Sequence, residues 1–391
     1  MVNIFCFSIY PVGAEISLSP KATHIEEGNN LTLDCTATGE PSPVITWSKV
    51  PGSLSMNVNV NQQGRKLTIT KISKSDEGVY FCKAKNLLNT DTKHAQITVL
   101  PKLQFKLKEP KALVVLYGAT VRLRCTAAGA ISVSWTRQNS LLPPNHINFP
   151  DGSLMLRAVR KEDAGIYVCT ARNRFRSINT TTTLLVERVR SCSDVKAIDK
   201  SFRSQNYVID PDGAGGQAPF TVYCDMSDKS GVGVTVISHN AETRTHVKKK
   251  GCSSPGCYSK DVTYSGASTT QLARLTAVSS NCEQFIKFEC RNDITFLQDK
   301  YAWWVSRDGS RMFYWGGATP GSGKCACGMT NSCQGGEPCN CRNSGSGWRQ
   351  DSGLLTDKAS LPVTQLRFGD VDDVQEEGYH TLGKLKCYGK A

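Results

Sequence analysis

The cysteine content is the strongest constraint on what this chain can fold into. The 391 residues include 17 cysteines, a proportion that is typical of proteins that fold in an oxidising compartment. Because 17 is odd, at least one cysteine has no partner within the chain. Cys6 lies in a short apolar segment at the N-terminus, and the other cysteines form an even set. The sequence therefore predicts a secreted or extracellular protein that is stabilised by disulfides.

Residues 1–14, MVNIFCFSIYPVGA, are expected to be a weak or truncated secretion signal. Val12 and Ala14 have the small-residue spacing of a signal-peptidase site, although the usual basic segment is missing. The alternative is a misassigned start codon in front of a first strand. No stretch of the chain reaches the roughly 18 apolar residues that a membrane span needs. We therefore expect a secreted or matrix protein, or an ectodomain fragment of a membrane protein.

Residues 15–100 and 101–187 repeat one pattern, in which a tryptophan lies between two widely spaced cysteines. Tyr80 and Tyr167 each precede the second cysteine by two residues, the position of a tyrosine corner. Short alternating apolar runs surround the cysteines and predict strands with one buried face. The segment GEPSPVITWSK resembles the intermediate-set immunoglobulin domains, which implies two β-sandwiches, each with one disulfide packed on a tryptophan. The pattern residues are Cys35, Trp47 and Cys82, and then Cys125, Trp135 and Cys169.

Residues 188–391 are predicted to be a third, cysteine-rich domain. The segments YVIDPDGAGGQAPFTVYCDM, NCEQFIKFEC, KCACGMTNSC and WRQDSGLL resemble the fibrinogen C-terminal-like module of contactin-associated proteins and neurexin IV. This resemblance implies an α+β, disulfide-rich fold after the two all-β sandwiches. The twelve cysteines of the domain are Cys192, Cys224, Cys252, Cys257, Cys282, Cys290, Cys325, Cys327, Cys333, Cys339, Cys341 and Cys387.

Sequence spacing leaves the pairing of these cysteines partly open. Local bridges are plausible for Cys192–Cys224, for Cys282–Cys290 and for Cys252–Cys257. The last six cysteines allow fifteen connectivities, and sequence does not choose among them. A zinc cluster is the alternative for the dense CACG…CNC region. We favour disulfides there because thiols pair in an oxidising compartment and no histidine lies nearby.

Two further features could bind ligands in the third domain. The acidic residues Asp370, Asp372 and Asp373 have oxygen spacing that suits Ca²⁺, with a solvated loop as the simpler interpretation. Aromatic residues bracket the turn Arg307–Gly309, which predicts a hairpin, with packing inside the domain favoured over an exposed binding surface. The aromatic residues are Tyr301, Trp303, Trp304, Phe313, Tyr314 and Trp315. We expect no cofactor and no metal site beyond this weak calcium candidate.

The net charge of +13 is concentrated in one domain. Residues 101–190 hold fifteen basic and five acidic residues, whereas the segments before and after are nearly balanced. Arginine suits two-point contact with sulfate, phosphate or carboxylate. The sequence therefore suggests a polyanion-binding face, with a merely solubilising basic surface as the alternative. The candidate residues are Lys106, Lys108, Arg122, Arg124, Arg172, Arg174 and Arg176.

Asn30 and Asn179 begin N-glycosylation sequons, as is common in extracellular proteins. The sequence lacks HExxH, GxSxG and phosphate-loop motifs in a supporting context, so we expect no catalysis. We predict an adhesion or recognition protein that binds an extracellular protein or a glycan, with an acidic polysaccharide as one candidate and nucleic acid excluded. The alternatives are a fibrinogen-related immune lectin for acetylated sugars and a structural component of an extracellular matrix, including a mineralised one.

Overall fold

A computed structural model describes residues 10–61, 63–292, 294–297, 300–342, 347–371 and 376–391. Cys6 lies outside the described residues, and so do Asp372 and Asp373. Within the described part of the chain, none of the helices has the length and apolar character that crossing a bilayer requires.

The first domain is a β-sandwich of two four-stranded sheets, with strand orders β1-β3-β6-β5 and β2-β8-β7-β4. Alternate residues are buried along its strands, as the alternating sequence predicts. The Cys35–Cys82 disulfide joins β3 to β7 between the sheets. The strands are β1 Val12–Ser19, β2 Ala22–Glu26, β3 Leu31–Glu40, β4 Val44–Val50, β5 Val58–Asn61, β6 Lys66–Ile69, β7 Gly78–Lys85 and β8 Thr90–Leu100.

A tyrosine corner closes this sandwich, at the position that the sequence indicates. The buried Tyr80 hydroxyl donates a hydrogen bond to the Asp76 carbonyl oxygen at 2.8 Å. The Asp76 carboxylate, itself buried, accepts hydrogen bonds from the Ser73 backbone N–H at 2.9 Å and from Asn57 Nδ2 at 3.1 Å. These bonds hold the short 3₁₀ turn Lys74–Asp76 against β7. They also give the buried Tyr80 hydroxyl and the Asp76 carboxylate the hydrogen-bond partners that buried polar groups need.

The second domain repeats the sandwich with shorter strands. One layer has the order β10-β17-β16-β13, and the other contains β11-β15-β14 with β12-β9. The Cys125–Cys169 disulfide joins the layers, and Trp135 Nε1 donates to the Gly152 carbonyl oxygen at 2.9 Å. The strands are β9 Gln104–Lys108, β10 Ala112–Leu116, β11 Val121–Leu123, β12 Cys125–Ala128, β13 Ser132–Arg137, β14 His146–Asn148, β15 Leu154–Leu156, β16 Gly165–Arg172 and β17 Ser177–Glu187.

The C-terminal domain is built mostly from strands, with short helices at its edges. Its main sheet has the order β18-β19-β20-β28-β23-β26, with β21 also paired to β28, and a smaller sheet has the order β22-β27-β24-β25. The elements are α1 Cys192–Ile198, β18 Gln205–Ile209, β19 Phe220–Asp225, β20 Val234–Ile237, β21 Thr245–Val247, β22 Tyr258–Asp261, α2 Thr269–Val278, β23 Asn281–Arg291, β24 Trp303–Val305, β25 Arg311–Met312, α3 Ala326–Met329, β26 Arg349–Leu355, β27 Gln365–Phe368 and β28 Glu377–Tyr388.

An aromatic stack fills the centre of this domain. The rings of Phe288 and Phe368 lie 4.5 Å apart and nearly parallel, and Phe296 stacks on Phe288 at 4.8 Å. Trp315 packs edge-on against Phe296 at 5.0 Å, and His380 lies parallel to Phe368 at 5.9 Å. Since these side chains come from β23, β27, β28 and the segments beside β24 and β25, the stack joins the two sheets through one core.

The disulfides of the C-terminal domain differ from the sequence prediction at one point. Cys282 pairs with Cys387 and Cys290 pairs with Cys341, so the suggested Cys282–Cys290 bridge is wrong. Both cysteines lie on β23, and eight residues of extended strand span roughly 26 Å, far beyond disulfide reach. The other bridges of the domain are Cys192–Cys224, Cys252–Cys257, Cys325–Cys339 and Cys327–Cys333.

The chain divides into two compact units. One contains the first domain and most of the second, through residue 113 with 121–156 and 164–185. The other contains 114–120, 157–163 and 186–391. Within this second unit, the Arg188 guanidinium lies over the Tyr117 ring at 4.7 Å and pairs with the buried Asp210 carboxylate at 2.9 Å. Residues 114–120 are therefore packed as part of the C-terminal unit.

Candidate binding surfaces

Four of the basic candidates lie on one layer of the second domain. Lys106 and Lys108 are exposed on β9, and Arg124 is exposed between β11 and β12. Arg122 projects outward from β11, where its guanidinium lies 4.5 Å over the Phe149 ring. It also pairs with the Asp151 carboxylate at 2.7 Å, so part of its charge is already neutralised. The pKa of Asp151 lies below its usual range, mainly because the Ser153 hydroxyl and backbone N–H donate hydrogen bonds to its carboxylate, and the Arg122 charge lowers it a little further.

The other candidates lie on the hairpin between β16 and β17, in the opposite layer. Arg172 ends β16 and Arg174 lies in the turn, and both are exposed. The Asn173 side chain holds this turn, because its Oδ1 accepts the backbone N–H groups of Phe175 and Arg176 at 2.9 Å each. Neither Arg172 nor Arg174 has a carboxylate partner within 4.0 Å among the described residues. The hairpin therefore presents two arginines that no described carboxylate neutralises, at and beside a turn that Asn173 holds.

The structure thus divides the predicted basic residues between two surfaces. The layers of a sandwich pack with their inner faces together, so their outer faces point in opposite directions. Arg122 and Arg124 project from one layer, whereas Arg172 projects from the other. A single flat ligand cannot cover both groups. Of the two surfaces, the hairpin of Arg172 and Arg174 has the less neutralised charge.

Arg176 has a structural role that the sequence did not reveal. Its guanidinium pairs with Glu26 Oε1 at 3.2 Å, and Glu26 also accepts the Leu103 backbone N–H at 2.7 Å. Arg176 donates a further hydrogen bond to the Leu103 carbonyl oxygen at 3.1 Å. Burial opposes ionisation of Glu26, but these hydrogen bonds and the positive charge outweigh it and lower its pKa. These contacts join Glu26 of the first domain to the β16–β17 hairpin and to Leu103, which lies between β8 and β9.

We expect Glu26→Ala to loosen this joint. The substitution leaves the buried Leu103 N–H without its acceptor and removes the partner of Arg176, at a cost of about 2 kcal/mol. Hydrogen exchange should then accelerate at the amides of residues 102–104, as measured by mass spectrometry of the full chain. Glu27→Ala changes an exposed neighbour and serves as the control. Equal exchange in the two variants would contradict the role of Glu26.

Both sequon asparagines lie on the surface. Asn30 is exposed, and its Oδ1 accepts the Lys71 backbone N–H at 2.9 Å. Asn179 is exposed on β17, directly opposite Thr170 of β16. Directly opposed residues share one face of a sheet, and Thr170 is two residues from Arg172. A glycan on Asn179 would therefore lie on the same face as Arg172.

The geometry gives little support to a metal site at the residues that the sequence suggested. Asp370 Oδ2 accepts the Thr295 backbone N–H at 2.9 Å, and its two companion residues lie outside the described part of the chain. Among the described residues, Cys325, Cys339 and Asp351 bring possible ligand atoms within 4.8 Å of one another. The two sulfurs are joined in a disulfide and are not available as thiolates. The Asp351 carboxylate is occupied by the backbone N–H groups of Asn340 and Cys341.

The aromatic hairpin predicted near Arg307 is present as β24 and β25. Most of its rings are buried: Trp304 and Trp315 are fully enclosed and Trp303 is 6% exposed. Beside the hairpin lies a groove of about 740 Å³ that the sequence did not indicate, with Lys300 and Arg311 among its lining residues. In the sequence, the feature that could have indicated this groove is the pair of cations, Lys300 and Arg311, that flank the aromatic residues. The register of the hairpin decides whether both cations line the same groove.

Comparison with known families identifies the class of the two sandwiches. Residues 14–99 and 104–186 each match the immunoglobulin I-set domain, so the chain carries tandem immunoglobulin domains of this type. Residues 173–304 match the fibrillar collagen C-terminal domain. The first residues of that match, 173–187, include β17 of the second sandwich.

Among curated proteins, the chain is similar to contactin-associated protein 1 of Rattus norvegicus, with 38% identity over 192 residues. It is also similar to neurexin-4 of Drosophila melanogaster, with 34% identity over 211 residues. These alignments cover 48% and 51% of this chain but only 14% and 16% of the relatives. The chain therefore spans about one seventh of the length of the proteins that it matches.

Solved structures of tandem immunoglobulin domains are similar to the chain at low identity. The sidekick-1 immunoglobulin domains 1–4 are 23% identical, with a TM-score of 0.40 and coverage of 46% of this chain and 50% of that chain. The insect immune protein hemolin is also 23% identical, with a TM-score of 0.37 and coverage of 47% and 49%.

Proposed function

We propose that this chain is the binding part of an extracellular adhesion or recognition protein and that it acts through its surfaces rather than through catalysis. Tandem I-set domains support this role, and so does the similarity to contactin-associated protein 1 and neurexin-4. The eight disulfides of the described residues suit an extracellular location. An ectodomain and a secreted protein would both satisfy this proposal.

The proposal includes a fibrinogen C-terminal-like identity for residues 188–391. The motif resemblance to contactin-associated proteins supports it, together with the 38% identity to contactin-associated protein 1 over 192 residues. The mostly stranded, disulfide-rich architecture is compatible with that identity. An experimental structure of the protein, superposed on a fibrinogen C-terminal domain, tests this part of the proposal. A different strand order in the main sheet would refute it.

The ligand that the β16–β17 hairpin supports best is an acidic polysaccharide. The observation that carries this assignment is the pair of exposed arginines, Arg172 and Arg174, which have no carboxylate partner among the described residues. Their guanidinium groups can each make paired hydrogen bonds to sulfate or carboxylate. Arg176 is excluded from this surface because Glu26 engages it.

We expect the full chain to stay on immobilised heparin above physiological salt. The double variant Arg172→Ala with Arg174→Ala should lose about tenfold in affinity, which corresponds to about 1.4 kcal/mol. The double variant Lys248→Ala with Lys250→Ala removes the same net charge from another exposed segment and should change little.

Two results would contradict the polysaccharide assignment. One is elution of the native chain at or below physiological salt, and the other is an equal loss of affinity in both double variants. The variant Asn179→Gln belongs in the same series, because a glycan beside Arg172 would shield the hairpin. If Asn179 is glycosylated, its replacement should raise heparin affinity in material from a glycosylating host.

A further inference from the structure

The groove beside the β24–β25 hairpin has the chemistry of a binding site for a small anion with an apolar face. Its volume of about 740 Å³ falls within the usual range of ligand pockets. The apolar lining comes from Leu297, Met312 and Phe313, and the charged lining comes from Lys300 and Arg311. Both charges among the described lining residues are positive, which favours an anionic occupant.

Aromatic rings hold the two cations in place. The Arg311 guanidinium lies 4.8 Å over the Trp303 ring, and the Lys300 ammonium lies 5.6 Å over the Phe313 ring. The two rings are themselves in contact, with centroids 5.9 Å apart. The four side chains therefore form one assembly, in which each cation is supported by a ring. Cations held in this way lose less side-chain entropy when a ligand binds than free surface cations do.

The loop closed by Cys252 and Cys257 supports this assembly from behind. Gly256 lies so close to the Trp303 indole that an added Cβ atom would be 2.0 Å from a ring carbon. The Gly256 backbone N–H donates to the Tyr301 carbonyl oxygen at 3.0 Å. This disulfide loop therefore fixes Trp303, and Trp303 in turn positions Arg311.

Neither cation of the groove is neutralised within the described part of the chain. No described carboxylate oxygen lies within 4.0 Å of Lys300 or Arg311, in contrast to the paired Arg244, Arg188 and Lys229 of the same domain. Two cations that no described carboxylate engages, beside apolar side chains, suit a ligand that carries two acidic groups on a ring with an apolar face.

We propose that this groove binds an acidic disaccharide unit that carries a carboxylate and a sulfate, of the kind found in extracellular acidic polysaccharides. A peptide fits less well, because β25 at the edge of its sheet is only 2 residues long and cannot hold an added strand. The inference deepens the proposed function, but it uses residues separate from the Arg172–Arg174 hairpin.

The test is calorimetric titration of the full chain with a sulfated, uronate-containing disaccharide. We expect binding that weakens about tenfold in Arg311→Ala and in Lys300→Ala, since each removes one charge-assisted contact. Arg311→Lys keeps the charge but loses the planar fork, and it should give an intermediate loss of affinity.

The control variant Arg203→Ala removes an exposed arginine elsewhere in the domain and should bind the disaccharide normally. Lactose, a neutral disaccharide, should not bind, and a calcium chelator should have no effect.

The outcomes separate this inference from the proposed function. Disaccharide binding that survives Arg172→Ala with Arg174→Ala but is lost in Arg311→Ala supports the groove. Equal binding of lactose, unchanged binding in Arg311→Ala, or stronger binding of a hexaglutamate peptide would overturn it. Retention on heparin without any disaccharide binding would overturn the groove alone and leave the hairpin proposal standing.

Discussion

Removing the Cys282–Cys387 disulfide should lower the free energy of unfolding of the C-terminal domain by about 4 kcal/mol. The two cysteines lie opposite each other on β23 and β28, the central strands of the main sheet, and are 105 residues apart in sequence. In the chain-entropy description, a crosslink stabilises by restricting the unfolded chain, and a loop of that length contributes about 5 kcal/mol. The Cys290–Cys341 bridge shortens the effective loop, which brings the expectation to about 4 kcal/mol.

The matched control is the Cys252–Cys257 disulfide, which closes a loop of only 5 residues. The same description gives it about 2 kcal/mol. The experiment compares Cys282→Ala with Cys387→Ala against Cys252→Ala with Cys257→Ala, by hydrogen exchange of peptides from β23 and β28 in the full chain. Equal destabilisation by the two double variants, or a greater loss on removal of the short bridge, would contradict the prediction.

The C-terminal domain should also lose about 3 kcal/mol of stability through one histidine as the pH falls from 6.5 to 4. His380 is fully buried between Phe368 and Tyr258. Burial, with a smaller effect from the charge of Lys260, lowers the pKa of His380 to about 4. An unfolded histidine has a pKa near 6.5. The imidazole therefore takes up a proton on unfolding in this window, and the free energy of unfolding falls as the pH falls.

His380→Phe isolates this contribution, since phenylalanine can keep the stack on Phe368 but cannot take up a proton. The variant loses the contact of about 3.3 Å between His380 Nε2 and the Tyr258 hydroxyl, so its stability at neutral pH should fall by about 1 kcal/mol. The decisive quantity is the difference between the two pH profiles, because other groups titrate in both proteins. Parallel profiles between pH 6.5 and 4 would show that His380 is not the titrating group.

Local sequence patterns were sufficient for the immunoglobulin domains. Cys35, Trp47, Tyr80 and Cys82 lie at spacings that only a few strand arrangements satisfy, because alternation decides which residues face the core. The tyrosine corner and the tryptophan contacts follow from those spacings, and the structure places the Tyr80 hydroxyl on the Asp76 carbonyl oxygen. The same reasoning found the aromatic hairpin of the C-terminal domain, whose turn at Arg307–Gly309 is a local feature.

Charge could be assigned to a domain from sequence but not to a surface. The excess of basic residues in 101–190 follows from counting residues in the sequence. Whether each arginine pairs with a carboxylate depends on the residues that surround it in the fold. Arg172 and Arg176 are only four residues apart, yet Arg172 has no carboxylate partner among the described residues and Arg176 is bound to Glu26. The partner of Arg176 lies 150 positions earlier in the chain, and no local pattern records that approach.

The sequence by itself determined the class of the first two domains, the oxidised state of the cysteines and the concentration of charge, because these depend on composition and on short spacings. Only the tertiary structure decided which cysteines pair in the C-terminal domain, which arginines keep an unneutralised charge, and that Lys300 and Arg311 line one groove. Each of these depends on contacts between segments far apart in the chain, which strand register and packing create.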